Sequence, residues 1–232
     1  MREHPTLASW AALFRAGNSV TGIFGVVLGS ILASQGLPSG DFALITALHC
    51  LSVMTFMFSW NALNDYMDIE IDRINRPDRP LPSGQISEVA AKRGIQSTAI
   101  LSTSFLIAAA FVSHRGEIGI DGWLPSLGIW IIALVLLFNY ESPSKLSFRM
   151  KDSGLPGNLA ISMSVGLVII FGAASVSDPL DNRAWAVFVV GFLYNFSREI
   201  VKDIEDMGGD KGRDTFAMRV GEERASSLAA LV

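Results

Sequence analysis

Long apolar runs separated by polar connections dominate this chain. Six of them, over residues 12–34, 42–63, 95–112, 124–140, 159–176 and 184–196, reach or approach the roughly 20 apolar residues that a membrane-crossing helix needs. They predict an all-α fold, a polytopic transmembrane helical bundle with six spans. The connections after the second and sixth runs are long and rich in Asp, Arg, Gly and Pro. In the first of these, Pro77, Pro80 and Pro82 stop the helix and Ser83-Gly84 marks a turn. Ser87 followed by Glu88 predicts the start of the next helix. Gly25 and Gly29 in the first run have the spacing that lets helices approach closely in lipid. That run begins with Arg15 and Asn18 but lacks a charged leader and a cleavage site, so it does not read as a removable signal. From Gly221 the chain turns apolar again and stops at Val232. This is the expected start of a seventh span, so residues 1–232 are expected to form a single membrane domain, truncated at its C terminus.

Charge sharpens the topology. Arg2 and Arg15 lie at the amino end, Arg73 to Arg93 follow the second span, Lys145 to Lys151 follow the fourth, and Arg198 to Arg224 follow the sixth. Only Arg115 and Arg183 fall in the alternate loops, so 16 of the 18 basic residues lie on one side. A wrong number of spans would scramble that alternation. By the positive-inside rule, the N terminus and both long polar connections are expected in the cytosol and the protein in the cell membrane. Only 17% of residues are charged, against about 25% in soluble domains. The net charge of −4 and the lack of a basic face predict no nucleic-acid partner. Cys50 is the single cysteine and the three histidines are scattered, which excludes a disulfide framework and a C-x-x-C site. Neither a P-loop nor a G-x-G-x-x-G motif occurs.

Two acidic segments carry the candidate chemistry. Asp65, Asp68 and Asp72 follow the second span at i, i+3 and i+7, one face of a helix; Asn61 lies one turn earlier on it and Asn64 directly precedes Asp65. Asp203, Asp206 and Asp210 repeat that spacing after the sixth span, with Glu199 one turn earlier. Stacked carboxylates repel, and at a membrane boundary less water screens them. Acidic residues after a span are often no more than a solvated face. Two copies, each at a span end and each beside basic residues, favour a divalent-cation site instead. Mg²⁺ in particular takes a few carboxylates together with phosphate oxygens. Arg73, Arg76, Arg79, Lys145 and Lys202 can balance the charge of a bound diphosphate. Other positions have plainer readings: Tyr140 as an interfacial belt residue, Asn158 as a helix cap, and Arg15 as either a headgroup anchor or a phosphate ligand.

At these positions the sequence resembles the UbiA superfamily of intramembrane prenyltransferases. Asn64-Asp65-x-x-Asp68-x-x-x-Asp72 matches that family's first motif, and Arg73-Ile-Asn-Arg76-Pro-Asp-Arg79-Pro-Leu-Pro-Ser-Gly84 looks like its continuation. Asp203 to Asp210 is similar to the second motif. Lys202-Asp203-x-x-Asp206-x-x-Gly209-Asp210, Arg15-x-x-Asn18, and Lys145 ahead of Gly154-Leu-Pro-Gly157-Asn158 look like the archaeal digeranylgeranylglyceryl phosphate synthases. The family fold has nine transmembrane helices around a prenyl tunnel.

The resemblance implies Mg²⁺-dependent transfer of a geranylgeranyl group from its diphosphate, the donor, to the hydroxyl of geranylgeranylglyceryl phosphate, a lipid-phosphate acceptor. Asp65, Asp68, Asp72, Asp203, Asp206 and Asp210 are then the expected metal ligands. Asn61, Asn64, Asp68, Asp203 and Tyr140 are the expected catalytic set, Tyr140 by steadying the allylic cation. Arg15, Asn18, Arg73, Arg76, Arg79, Lys145, Asn158, Arg198 and Lys202 are the expected substrate-binding residues. Membrane lipids surround the protein, and no obligate protein partner is expected. Two other readings use the same residues: an aromatic or tetrapyrrole prenyltransferase, which differs only in acceptor, and a divalent-cation transporter. Transporter sites tend to lie near the bilayer midplane, whereas these aspartates sit at span ends. Soluble prenyl-diphosphate synthases also use aspartate-rich helices, but six lipid-compatible spans argue against one.

Overall fold

A computed structural model describes residues 5–116, 118–142, 144, 146–207 and 214–232. Among these the regular structure is entirely helical: α1 (Leu7–Leu13), α2 (Ala16–Ser34), α3 (Gly40–Met67), α4 (Ile69–Asn75), α5 (Glu88–Arg115), α6 (Gly119–Glu141), α7 (Leu155–Ala174), α8 (Asn182–Asp206), α9 (Phe216–Val220) and α10 (Glu222–Leu231). A single 3₁₀ turn, Met150–Asp152, precedes α7. Six of the helices, α2, α3, α5, α6, α7 and α8, are long and apolar enough to cross a bilayer. The helices outrun the apolar runs because their polar ends continue into the aqueous region. α3 extends to Met67 and α8 to Asp206, which carries the acidic segments on helical backbone.

The spans close into a ring in which α2, α3, α5, α6 and α7 each pack on the next and α7 returns to α2. α8 packs on α7, and α10 packs back along α8. In lipid the packing of apolar faces gains little, so close approach and polar contacts between helices carry the association. At the α2–α7 crossing Gly29 faces the Ile169 backbone and Gly172 faces that of Val26, each too near to admit a side chain. Gly25 faces Val168 on the same seam, so the glycine spacing in the first apolar run does bring two helices together. Buried hydroxyls add to the association: Ser52 donates to the Ser102 carbonyl (3.0 Å), Ser59 to that of Ile95 (3.0 Å), and Thr46 meets Ser175 (2.8 Å).

The first apolar run departs from expectation. It is not one helix over 12–34; it breaks at Phe14 and Arg15 into α1 and α2. Arg15 adopts the left-handed conformation (φ 47°, ψ 53°), which costs a residue with a side chain roughly 1–2 kcal/mol. Two side chains hold the break. Asn61 Nδ2 donates to the freed Phe14 carbonyl (3.1 Å), and the Arg15 guanidinium reaches Asp65. Ser87 caps α5 as expected, its hydroxyl accepting from the Ala90 amide (3.2 Å). Asn158 does not cap α7, which begins a turn earlier behind Gly154 (φ 71°).

Candidate functional site

Where the acidic ends of α3, α4 and α8 meet, the bundle encloses a cavity of about 610 Å³, within the usual range for a small-molecule site. Its walls come from α2, α3, α4, α6, α7 and α8. Charged residues ring the mouth, among them Asp68, Asp72, Arg76, Lys151, Asp203 and Asp206, and the depth is lined by apolar side chains such as Val53, Met57, Ile129, Trp130 and Phe171. One end therefore suits a charged group and the other a hydrocarbon.

The first wall is tied by arginines. Arg15 Nη2 donates to Asp65 Oδ1 (2.6 Å) and to Asn64 Oδ1 (3.3 Å). Arg79 Nη1 donates to the same Asp65 oxygen (3.1 Å) and to Asp72 Oδ2 (2.6 Å). Asp65 is buried between two guanidiniums and does not line the cavity, so it fastens the α1–α2 break and the loop after α4 to α3. A buried carboxylate is tolerable only when paired in this way.

The second wall centres on Lys151. Its ammonium lies between Asp68 Oδ2 (2.7 Å) and Glu141 Oε1 (2.9 Å), and Asn64 Nδ2 donates to the other Glu141 oxygen (2.8 Å). The Lys151 ammonium also stands over the Tyr140 ring, 6.0 Å from its centroid. On the third wall Asn158 Nδ2 donates to Asp203 Oδ2 (2.9 Å). Arg198 and Lys202 flank Glu199 at 3.1 and 3.8 Å. Arg76 reaches from the first acidic segment to Asp206 of the second (3.9 Å), so the two segments share one mouth. Asp65, Asp68, Asp72, Glu141, Glu199, Asp203 and Asp206 each face a cation or an amide.

Residues 22–232 match the profile of the UbiA prenyltransferase family. The chain belongs to that family. A UbiA relative from Thermococcus kodakarensis, a digeranylgeranylglyceryl phosphate synthase, is 34% identical over 91% of this chain and 68% of its own length. The enzyme of the same name from Methanobrevibacter smithii is 32% identical over 95% of this chain and 72% of its own. A solved structure of digeranylgeranylglyceryl phosphate synthase superposes with a TM-score of 0.68 at 29% identity, covering 97% of this chain and 72% of that one. A UbiA homolog from Archaeoglobus fulgidus, bound to GPP and Mg²⁺, has the same fold (TM-score 0.62, 20% identity, 96% of this chain and 73% of that one). The protein is thus a multi-pass membrane prenyltransferase.

The UbiA motifs mostly converge. Arg15, Asn18, Asn61, Asn64, Asp68, Asp72, Arg76, Arg79, Tyr140, Asn158, Arg198, Lys202, Asp203 and Asp206 all line the cavity. Arg73 does not: it is half exposed on the outer side of α4, paired with Glu70 (2.7 Å) and Glu88 (3.7 Å). One position beyond Asp72, it is rotated about 100° off the acidic face. Lys145 and Asp210 lie outside the described residues. Sequence reasoning missed Glu141 and Lys151. An acid closing an apolar run beside Tyr140, and a second lysine in the loop that holds Lys145, were the available signals, but only the fold brings them to Asp68.

Proposed function

We propose that this protein transfers a geranylgeranyl group from geranylgeranyl diphosphate to the hydroxyl of geranylgeranylglyceryl phosphate, forming an ether lipid. One observation carries the reading: a single cavity joins an acidic, cation-laced mouth to an apolar depth. The named relatives support the choice of acceptor. Sixteen of 18 basic residues on one side support a cytosolic N terminus and mouth.

Mg²⁺ fits the donor set. Asp68, Asp72, Asp203 and Asp206 offer hard oxygens from facing walls of the cavity. Among the described residues no three acidic side chains converge into a ready metal cage. That suits a cation that prefers few carboxylates and completes its shell with water and phosphate. These four aspartates would hold it, with Asp210 a further candidate; Asp65, committed to Arg15 and Arg79, would orient the first wall. When bound, the metal supplies Lewis-acid stabilisation of charge on the departing oxygens.

The chain's own groups do the rest. Arg76, Lys151, Arg198 and Lys202 balance the diphosphate as the allylic carbon–oxygen bond breaks and the electron pair leaves with it. Tyr140, over which Lys151 stands, faces the developing cation. The apolar depth excludes water, so the acceptor hydroxyl rather than water supplies the new bond. The hydroxyl proton passes to an oxygen of the departing diphosphate. Arg15 and Asn18, at the mouth on α2, are the candidate holders of the acceptor phosphate.

The test is a competition assay. The protein in liposomes receives geranylgeranyl diphosphate with an equal mixture of geranylgeranylglyceryl phosphate, an aromatic acid and a tetrapyrrole, with Mg²⁺ or with EDTA. Mg²⁺-dependent ether product is expected; prenylated aromatic or tetrapyrrole instead would reassign the acceptor. Metal flux without any prenyl product would move the protein to the transporter reading.

A further inference from the structure

Three walls of the cavity reach their deepest point at the same level. On α3 the lining runs from Asp68 to Val53, fifteen residues or about 22 Å at the helical rise. On α7 it runs from Asn158 to Phe171, thirteen residues or about 20 Å, and on α6 from Glu141 to Ile129, twelve residues or about 18 Å. Val53 and Phe171 belong to one buried apolar cluster and Ile129 packs against it, so the same cluster lies at the deep end of all three walls. Below them that cluster continues with Val26, Ile45, Leu106, Ala109 and Trp123, all buried. The cavity therefore has a closed floor, not an exit toward the far side of the bundle.

A buried histidine backs this floor. His49 is fully buried within α3, and its ring lies 4.2 Å from that of Phe171 (centroid to centroid). Its Nδ1–H donates to the Ile45 carbonyl (2.8 Å), which fixes the ring orientation, and its Nε2 has no partner among the described residues. The imidazole lies in the middle of a span, does not line the cavity, and has its ring contact with Phe171, the two planes tilted by 36°.

We infer that Phe171, buttressed by His49, is the stop that limits the length of the prenyl donor. The inference rests on the prenyltransferase reading and adds the tail's end point to it. With the diphosphate at the acidic mouth, the tail runs down the apolar depth toward Phe171, and a tail longer than that depth meets the ring. The aromatic ring blocks further entry, and its buttress keeps it from swinging away. Ala133, one turn above Ile129 on the same wall, is where added bulk would raise the floor.

Wild type, Phe171→Ala, Phe171→Leu and Ala133→Leu should be compared with farnesyl, geranylgeranyl and geranylfarnesyl diphosphates. Both kcat/KM with a fixed acceptor and displacement of labelled geranylgeranyl diphosphate would be measured. Phe171→Ala is expected to raise the geranylfarnesyl to geranylgeranyl ratio at least 10-fold, and Phe171→Leu less. Ala133→Leu is expected to shift the farnesyl to geranylgeranyl ratio at least 10-fold toward farnesyl. If Phe171→Ala fails to fold, Phe171→Leu and Ala133→Leu carry the test. Ratios unchanged within twofold in the folded variants overturn the stop while leaving the prenyltransferase intact. A wild type that neither binds nor turns over any of the three donors overturns both.

Discussion

Replacing Lys151 with Met should move magnesium and diphosphate affinity in opposite directions. The Lys151 ammonium sits 2.7 Å from Asp68 and 2.9 Å from Glu141, with its side chain 12% exposed. Methionine keeps most of the stem and removes the charge, so Asp68 and Glu141 lose the ammonium that bridges them. At an effective dielectric of about 20, unit charges 4 Å apart interact by about 4 kcal/mol. The carboxylates regain some water through the mouth, and an entering divalent ion sheds part of its own hydration. A gain of about 1–2 kcal/mol should remain for the metal, a factor of about 5–30 in affinity. A diphosphate loses a cation in the same variant and should bind more weakly by a similar factor. Titration calorimetry of the detergent-solubilised protein reads both, first with MgCl₂ alone and then with geranylgeranyl diphosphate at saturating Mg²⁺. Weaker magnesium binding in the variant, or donor affinity equal to wild type, would refute the idea that Lys151 stands where the metal's charge is needed.

Asp203→Ala should lower turnover by about 10³-fold, the several kcal/mol that a metal-bound leaving group supplies; near-normal steady-state rates would remove Asp203 from the metal site. Arg79→Ala leaves Asp72 without its 2.6 Å partner and Asp65 with Arg15 alone. A thermal-unfolding loss of about 1–3 kcal/mol is expected, and an unchanged melting temperature would contradict the clamp. Gly172→Leu drives a side chain into the Val26 backbone and should destabilise the bundle by about 1–3 kcal/mol or more, read from the denaturation midpoint in detergent. The carboxyl of Asp214, outside the spans, is held below its ordinary value chiefly by the hydrogen bond from Arg219 (2.8 Å). A depressed folded-state value means that this contact is fully present above the normal carboxylate range and fades as pH falls through the lowered value. Protection factors of the α9 amides, which are exchange rates referred to the intrinsic rate at each pH, should fall only in that acidic window, and equal protection at neutral and acidic pH would contradict the pairing.

Some features of this protein are legible in one dimension and others are not. The six spans follow from apolar length and from the alternation of basic loops, because lipid leaves the backbone no other way to satisfy its hydrogen bonds. The shared face of Asp68 and Asp72 follows from helical geometry, and the same geometry already places Arg73 beside that face and not on it. Periodicity cannot say what stands opposite a face. Asp65 has the spacing of a metal ligand, yet Arg15 and Arg79 arrive from 50 residues before and 14 after to claim it. The break at Phe14 and Arg15 leaves no local signal, because its cause is the Asn61 amide and the Asp65 carboxylate on another helix. Lys151 was hidden for the same reason: its partner, Asp68, lies 83 residues away.

In the proposed reaction one cavity holds the diphosphate at the two acidic walls and the prenyl tail in the apolar depth. A crystal structure of the protein with Mg²⁺ and a non-cleavable geranylgeranyl thiolodiphosphate tests this arrangement. Diphosphate density is expected between Asp68/Asp72 and Asp203/Asp206, with the tail running along α3 and α7 to end against Phe171. Density for the diphosphate away from these aspartates, or a tail that leaves between helices into lipid, would contradict it.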